Sequence, residues 1–357
     1  MQLWTYRHAA PGRFERQAQR AESEGWDGIA LGESQNLTAD PFVELGIAAR
    51  FTSRILLGTS VAITATRHPA TTATAIATVQ EESAGRAVLA IGTGASAVAH
   101  LGLRPMPVAQ FERYLHRLAG YLAGDEVPFA PELDGVGESS SAAMGLAAGP
   151  TASRLRWLNP AMPKVVLDVA ATGPRTIAAG ARIGDRVLFA TGASPERLAW
   201  AIATAGAARE VAGLPRNGPP FGASFPLFVH PDRAKARDLI SGTVASFAHL
   251  ATVLGPVVGP ATGEQRRVLT ALRDSYDMDR HLSYRSPQSQ LLSDDVVDAF
   301  AVAGPVSYCT DRILALRELG ISKFVFFSEG ADIDPKEIHA CRARIAGELL
   351  PALRAGG

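Results

Sequence analysis

The chain is poor in cysteine, in net charge and in long apolar runs. Cys309 and Cys341 are the only cysteines among 357 residues, so neither a disulfide framework nor a cysteine metal site is expected. A reducing, cytoplasmic location is the default expectation for such a chain. Lys and Arg together number 35, as do Asp and Glu, which argues against nucleic acid as the main partner.

Signals for membranes, metals and hydrolysis are also missing. No stretch reaches the roughly 18 apolar residues that a membrane span needs, and the N-terminus lacks an apolar signal-peptide segment. The eight histidines show no HExxH or comparable metal spacing, and no Gly-x-Ser-x-Gly elbow occurs. We therefore expect no membrane partner, no metal and no serine-hydrolase site. An apolar content of 47% is enough for a large core.

Eight apolar segments alternate with helical patterns along the chain. Strands are predicted at Leu3–Tyr6, Trp26–Leu31, Ile55–Ile63, Arg86–Ile91, Lys164–Ala170, Asp185–Ala190, Phe221–Val229 and Ser322–Phe327. Such alternation is typical of an α/β fold with parallel strands and helical crossovers. Eight units closing on themselves predict a TIM (β/α)8 barrel, with a doubly wound open sheet as the alternative.

Two segments interrupt this alternation. Residues 125–163 are rich in Gly, Ser, Ala and Pro and form an insertion after the fourth unit. Residues 231–303 show only helical texture, predicted as Arg233–Leu254, Glu264–Met278 and Asp294–Ala303, before the last strand. We expect one domain, 1–357, with both segments near the pocket.

Small and polar residues follow most of the predicted strands, where a TIM barrel has its active site. These clusters are Tyr6-Arg7-His8, Glu33–Asn36, Ser60–His68, Thr93–Ser96, Ala171–Pro174, Thr191–Ala193 and Ser328–Gly330. Three of them are glycine-containing turns before helices, which present free backbone N–H groups to an anion. One such glycine is explained by a tight turn, but three on one rim predict a phosphate-bearing ligand.

Gly92-Thr93-Gly94 with Ala97 also partly matches a dinucleotide fingerprint. That fingerprint requires an acidic residue at the end of the next strand, about 20 residues on. The nearest candidate, Glu112, lies within the predicted amphipathic helix Pro107–Ala123 instead. The match is therefore weak.

Several longer matches occur together and in order over most of residues 1–230. They are Leu57–Val61, Thr66–Ala70, Gly85-Arg86 with Ile91–Gly94, Ala170–Pro174 and Thr191-Gly192. In these stretches the chain resembles the bacterial luciferase-like flavin-dependent oxidoreductases, and among them the coenzyme F420 (deazaflavin) branch. That branch includes F420-dependent glucose-6-phosphate dehydrogenases and methylenetetrahydromethanopterin reductases.

The resemblance implies a luciferase-like TIM barrel, a homodimer and a defined cofactor site. A non-prolyl cis peptide, here matching Ser60–Val61, would lie beneath the deazaflavin ring, and Glu33 with Ser34 would lie at the ring edge. The cofactor's tail and phosphate would be held by backbone turns. Those turn residues are Thr93, Gly94, Ala95, Ser96, Ala171, Thr172, Gly173, Pro174, Thr191, Gly192 and Ala193.

The chain departs from this pattern at two positions. Ser34 stands where several relatives have His, and Ala95 stands where the sugar-phosphate enzymes have Glu. Both changes remove a proton-transfer group, which makes sugar-phosphate oxidation improbable. The remaining candidates for catalysis are Glu33, Tyr6, His8 and His281, and a purely structural role is the simpler interpretation of each.

The function predicted in this way is hydride transfer between F420 and a C=C, C=N or C=O group of a small-molecule or peptide substrate. Two alternatives stay open. One is an FMN-dependent luciferase-like monooxygenase. The other is a non-catalytic barrel that acts as a binding subunit.

Overall fold

The structure is a computed structural model that describes residues 1–129, 144–145, 147–253 and 255–356. Its strands are Gln2–Arg7 (β1), Gly28–Leu31 (β2), Leu56–Thr59 (β3), Ala62–Ile63 (β4), Ala87–Gly92 (β5), Val127–Pro128 (β6), Ala152–Ser153 (β7), Val166–Ala171 (β8), Arg186–Phe189 (β9), Phe221–Val229 (β10), Val302–Gly304 (β11) and Ile321–Phe327 (β12). Each of the eight predicted strands is present.

Eight parallel strands close into a barrel. Their order is β1, β2, β3, β5, β8, β9, β10 and β12, and β12 pairs again with β1. The predicted TIM barrel is confirmed, and the open sheet is not observed. All the strands run in one direction, so their C-terminal ends surround a single mouth.

Helices lie between the strands. They span Phe14–Ser23, Pro41–Phe51, Pro69–Glu82, Ala95–Ala99, Val108–Ala123, Pro174–Ile183, Pro195–Val211, Arg233–Leu250, Gly263–Ser275, Pro287–Gln290, Asp294–Phe300, Val306–Arg317, Pro335–Arg344 and Leu350–Ala355. Two of them follow a sequence that is typical of an N-cap, Asp40 before Pro41 and Ser194 before Pro195. Asp40 Oδ1 accepts a hydrogen bond from Phe42 N at 2.8 Å, and Ser194 Oγ accepts one from Arg197 N at 3.3 Å.

Side chains fill the interior of the barrel below its mouth. Trp4 is fully buried there, and a Cβ at Gly28 would lie 2.2 Å from its ring. Lys323 Nζ lies 3.5 Å from the Trp4 ring centroid and 2.8 Å from Asp168 Oδ2, which also pairs with Arg186. These buried charges are paired with one another, as burial requires. The filled interior leaves the mouth as the place for a ligand.

Four predicted elements have wrong boundaries, and one of them is the helix predicted at Arg233–Leu254, which ends at Leu250. The helix predicted at Asp294–Ala303 ends at Phe300, and β11 follows and pairs in parallel with β10. The strand β10 supplies backbone hydrogen-bond partners to Val302–Gly304, and the helical periodicity of the sequence does not reveal these partners. The strand predicted at Ile55–Ile63 is divided into β3 and β4. The helix predicted at Glu264–Met278 ends at Ser275, and a 3-10 turn, Met278–Arg280, follows.

The two interrupting segments have different structures. In 125–163, β6 and β7 pair in antiparallel fashion, while residues 130–143 and 146 lie outside the described part of the chain. In 231–303, the helix Arg233–Leu250, here called the roof helix, packs against the loop at Leu282. A Cβ at Gly242 would lie 2.4 Å from Leu282 O, which accepts a hydrogen bond from Ala331 N at 2.9 Å. The helical segment therefore covers the C-terminal end of β12.

Candidate active site

The end of the third strand unit forms one side of the barrel mouth. The peptide bond between Ser60 and Val61, which separates β3 from β4, is cis, as the resemblance implies. Ser60 N donates to Leu31 O at 2.7 Å, and Val61 O accepts from Glu33 N at 3.1 Å. The Val61 side chain packs with the residues that fill the barrel interior. The backbone at this bond is therefore fixed to the neighbouring strand β2.

Glu33, which follows β2, is the centre of that connection. Its carboxylate is nearly inaccessible to solvent, with Oε2 accepting from Ile63 N at 2.8 Å. Oε1 accepts from Arg67 Nε and from Gln35 Nε2, both at 2.9 Å. These contacts favour a positioning role for Glu33 over proton transfer. Ser34 follows at a turn, where its carbonyl accepts from Leu37 N at 2.9 Å.

Arg67 and His68 directly precede the helix Pro69–Glu82. Arg67 pairs with both Glu33 and Asp40, and its guanidinium lies 4.8 Å from the Phe42 ring centroid. His68 is the N-cap and its Nδ1 accepts from Ala70 N at 3.2 Å. Through Arg67, the segment after β4 is thus joined to the segment after β2 at the mouth.

The turn after β5 lies beside the cis peptide. Gly94 has φ +77°, and a Cβ there would lie 2.9 Å from Ile63 Cγ2, so only glycine fits without strain. Ala95 and Ser96 start a five-residue helix and are half-buried, as is Thr93. The partial dinucleotide fingerprint thus belongs to a barrel turn and not to a Rossmann unit.

The turns after β8 and β9 offer room and an unsatisfied hydroxyl. Gly173 has open space where a side chain would be, and it precedes the helix Pro174–Ile183. The Thr191 hydroxyl is buried and has no hydrogen-bond partner within the described ranges. A buried hydroxyl of this kind is normally satisfied by a ligand or water. The two turns therefore fit the phosphate-bearing tail that the resemblance implies.

Arg197 is a site residue that the sequence did not reveal. Its guanidinium is buried and donates to the carbonyl oxygens of Thr191, Val258 and Pro260, and burial lowers its pKa to about 10. Arg312 donates to Ala193 O at 2.9 Å. A cleft of about 550 Å³ opens beside both arginines. The two cations hold the turn Thr191–Ala193 in place.

Tyr6 and His8 lie at the end of β1, which pairs with β2, and a Cβ at Gly32 would lie 2.5 Å from the Tyr6 hydroxyl. The Tyr6 ring stacks on Phe327 at 4.1 Å, and its hydroxyl lies 3.4 Å from His8 Nδ1. Burial, aided by the charge of Glu329, raises the pKa of Tyr6, so its phenol stays protonated. His8 Nε2 lies 3.6 Å from Glu329 Oε2, and 41% of its side chain is exposed.

His281 lies above this side, where it contacts Ser246 of the roof helix and Tyr276, which follows the helix Gly263–Ser275. Its Nδ1 is 2.8 Å from the Tyr276 hydroxyl, and Ser246 Oγ lies 3.3 Å from the same nitrogen. Burial, followed by the charges of His100, His249 and His8, lowers the pKa of His281 to about 4. These contacts leave His281 half-buried.

The structure brings the four predicted catalytic candidates to the mouth but divides them. Glu33 lies with Ser60 and Val61, and the Tyr6 hydroxyl lies against the neighbouring Gly32. His8 and His281 lie on the side of β1 and β12. Tyr276, Ser246, His100 and His249 were missed, because contacts between distant segments leave no sequence pattern. The described residues include no group of three or more His, Cys, Asp or Glu suited to a metal. None of the described helices is long and apolar enough to cross a bilayer.

Comparison with known proteins gives the family. Residues 2–323 match the luciferase-like monooxygenase family. The chain belongs to this family.

Individual relatives of the chain are distant but cover it almost completely. A 5,10-methylenetetrahydromethanopterin reductase of Methanolobus tindarius is 25% identical over 91% of this chain and 92% of its own. The enzyme of the same name from Archaeoglobus fulgidus is 24% identical over 94% and 93%. The solved F420-dependent tetrahydromethanopterin reductase of Methanopyrus kandleri has a TM-score of 0.72 at 20% identity, covering 99% of both chains.

Proposed function

We propose that this protein is an F420-dependent oxidoreductase that transfers a hydride between the deazaflavin and a C=C, C=N or C=O group of a small-molecule or peptide substrate. The observation that carries the proposal is the match to two methylenetetrahydromethanopterin reductases along more than nine-tenths of this chain. Solved neighbours include a tetrahydromethanopterin reductase and a secondary alcohol dehydrogenase, and both are named as F420-dependent.

The residues at the mouth fit such a cofactor. The bond Ser60–Val61 would lie beneath the ring, with Glu33 and Ser34 at its edge. The turns Thr93–Ser96, Ala171–Pro174 and Thr191–Ala193 would hold the tail, where the unpaired Thr191 hydroxyl supplies a donor. When bound, the deazaflavin supplies the hydride carrier, while the chain orients it and excludes water.

An FMN-dependent monooxygenase is the second candidate. It is favoured by the family description and by a solved FMN complex of a Baeyer–Villiger monooxygenase with a TM-score of 0.60 at 18% identity. Ser34 stands where several relatives have His, and the loss of that proton-transfer group argues against the monooxygenase.

Cofactor titration separates these functions. The purified protein is titrated with F420 and, separately, with FMN, and binding is followed by cofactor fluorescence. We expect saturable F420 binding and at least tenfold weaker FMN binding. Tight FMN binding with no F420 binding would establish the monooxygenase interpretation. Binding of neither would favour a non-catalytic barrel.

A further inference from the structure

The Tyr6 hydroxyl lies against the segment that anchors the proposed ring site. Backbone hydrogen bonds join the bond Ser60–Val61 to Leu31 at 2.7 Å and to Glu33 at 3.1 Å. Gly32 is the residue between these two anchors, and a Cβ there would lie 2.5 Å from the Tyr6 hydroxyl oxygen. The phenol oxygen therefore occupies the position that a side chain on Gly32 would take, next to the ring site.

Aromatic contacts fix the direction of the Tyr6 ring. The ring stacks on Phe327 with the centroids 4.1 Å apart, and Phe327 meets Phe247 of the roof helix at 4.8 Å. Tyr6 and Val61 also pack against the same group of interior side chains, which includes Trp4. The phenol is thus held from β12 on one side and from the barrel interior below.

The neighbouring candidates do not supply a proton at this place. Both carboxylate oxygens of Glu33 accept hydrogen bonds from other residues. The His281 ring contacts Tyr276 and Ser246, which belong to the helical segment above the mouth. Of the four catalytic candidates, Tyr6 is therefore the one whose O–H group lies against the segment that anchors the ring site.

His8 connects this phenol with solvent. Its Nδ1 lies 3.4 Å from the Tyr6 hydroxyl, and 41% of its side chain is exposed. Its Nε2 lies 3.6 Å from Glu329 Oε2. The Glu329 carboxylate also lies 3.6 Å from Arg7 Nε and pairs with Arg342, so charges on two elements hold it in place. The phenol and the imidazole together thus link the ring site with solvent.

The surroundings of Tyr6 disfavour a lasting tyrosinate. Burial, and then the charge of Glu329, raises the pKa of its phenol. The phenol therefore keeps its proton at rest, and it has to be reprotonated as it donates, since the anion is destabilised. His8 is the neighbouring group that supplies this second proton, because its Nδ1 faces the phenol oxygen.

We propose that Tyr6 donates the proton that completes substrate reduction, that His8 returns a proton from solvent to Tyr6, and that Glu329 is a positioning residue for the His8 ring. The proposal rests on the proposed F420 function and adds its proton path.

The step balances as one hydride and one proton. The substrate carbon forms a C–H bond with the hydride of the reduced deazaflavin, and the deazaflavin is thereby oxidised. The electron pair of the reduced double bond passes to the second atom of that bond, which takes the Tyr6 proton. The phenol oxygen then takes the proton of His8 Nδ1, and His8 Nε2 takes one from solvent, so that both side chains end neutral.

The test uses the full chain with reduced F420 and three acceptors, cyclohex-2-enone, 2-methyl-1-pyrroline and cyclohexanone. They offer a C=C, a C=N and a C=O group, and the return of the oxidised cofactor's absorbance reports turnover. We expect Tyr6→Phe, which removes only the hydroxyl, to lower kcat by about 10²- to 10⁴-fold and to change F420 affinity less than about threefold. Tyr308→Phe, whose hydroxyl accepts from Arg233 at 2.8 Å, is the matched control and should keep its kcat.

Chemical rescue and NMR distinguish a proton path from a purely structural role. His8→Ala should lose about tenfold in kcat, and added imidazole should restore most of it, because the vacated position is open to solvent. His116→Ala, at an exposed position, should neither lose activity nor respond to imidazole. The NMR signals of the His8 ring should shift when F420 binds to wild type, and shift less in Tyr6→Phe.

Several results would overturn the proposal. They are full kcat in Tyr6→Phe, a loss in His8→Ala that imidazole leaves unchanged, and His8 signals that do not respond to F420. The proposal is also overturned if F420 binds and none of the three acceptors is reduced. Failure of F420 to bind would instead overturn the proposed function.

Discussion

Glu33 shows how one residue can be found from the sequence while its role depends on the fold. The resemblance places it at the cofactor ring edge, and it is a candidate for proton transfer. In the structure its two carboxylate oxygens accept from Ile63, Arg67 and Gln35 and so hold the strand end after the cis bond. Two of these three partners lie 30 or more residues away in the chain, so spacing alone does not predict the contacts.

Replacing Glu33 by Gln should therefore lower stability strongly. The Ile63 N–H or the Arg67 guanidinium would face an amide N–H₂ group, and the half-buried Arg67 would keep only Asp40 as a carboxylate partner. We expect the free energy of unfolding to fall by about 2–4 kcal/mol. Urea unfolding at neutral pH measures it.

Glu82→Gln is the control for this change. Glu82 pairs with Arg50 at the surface, with both side chains well exposed, so its loss should cost less than about 1 kcal/mol. Equal stability of the two variants would show that the Glu33 contacts contribute little.

At the scale of elements, the helix Pro41–Phe51 has an apolar face that the described part of the chain leaves open. Val43, Ile47 and Phe51 follow one another at a spacing of four, and each is at least 40% exposed. Four-residue spacing places them along one side of the helix. An exposed apolar face of this kind marks an interaction surface. A homodimer, which the resemblance implies, would cover this face.

We expect Ile47→Glu to weaken a homodimer, because a charge would be buried against apolar side chains at the interface. Light scattering after gel filtration measures the mass over a dilution series. Val211→Glu is the control, since Val211 is 89% exposed at the end of another helix. A wild-type protein that is monomeric at every concentration would contradict this assignment of the helix face.

At the scale of the whole molecule, buried histidines make stability depend on pH. His281 and His249 both have pKa values below 6.5 because burial disfavours the charged form. Between about pH 6.5 and 4, the unfolded chain binds protons that the folded chain does not. The contribution of these two histidines to stability is therefore fully present above that range and is lost as the pH falls through it.

For His281 alone this loss should amount to about 3 kcal/mol at most, as the shift from 6.5 to about 4 implies. Urea unfolding of wild type from pH 7 to pH 4 measures it. His281→Gln should show a correspondingly weaker dependence, and the exposed His116→Gln should behave as wild type. An unchanged slope in His281→Gln would contradict the buried neutral state.

The sequence by itself determined the eight strand–helix units, the N-caps at Asp40 and Ser194, and the positions of the rim turns. Apolar periodicity and capping act over a few neighbouring residues, so they can be read locally. Only the tertiary structure decided that β11 pairs with β10, that Glu33 holds the strand end by hydrogen bonds and that Tyr276 and Ser246 contact His281. Those outcomes depend on burial and on hydrogen bonds between distant segments, which local patterns do not encode.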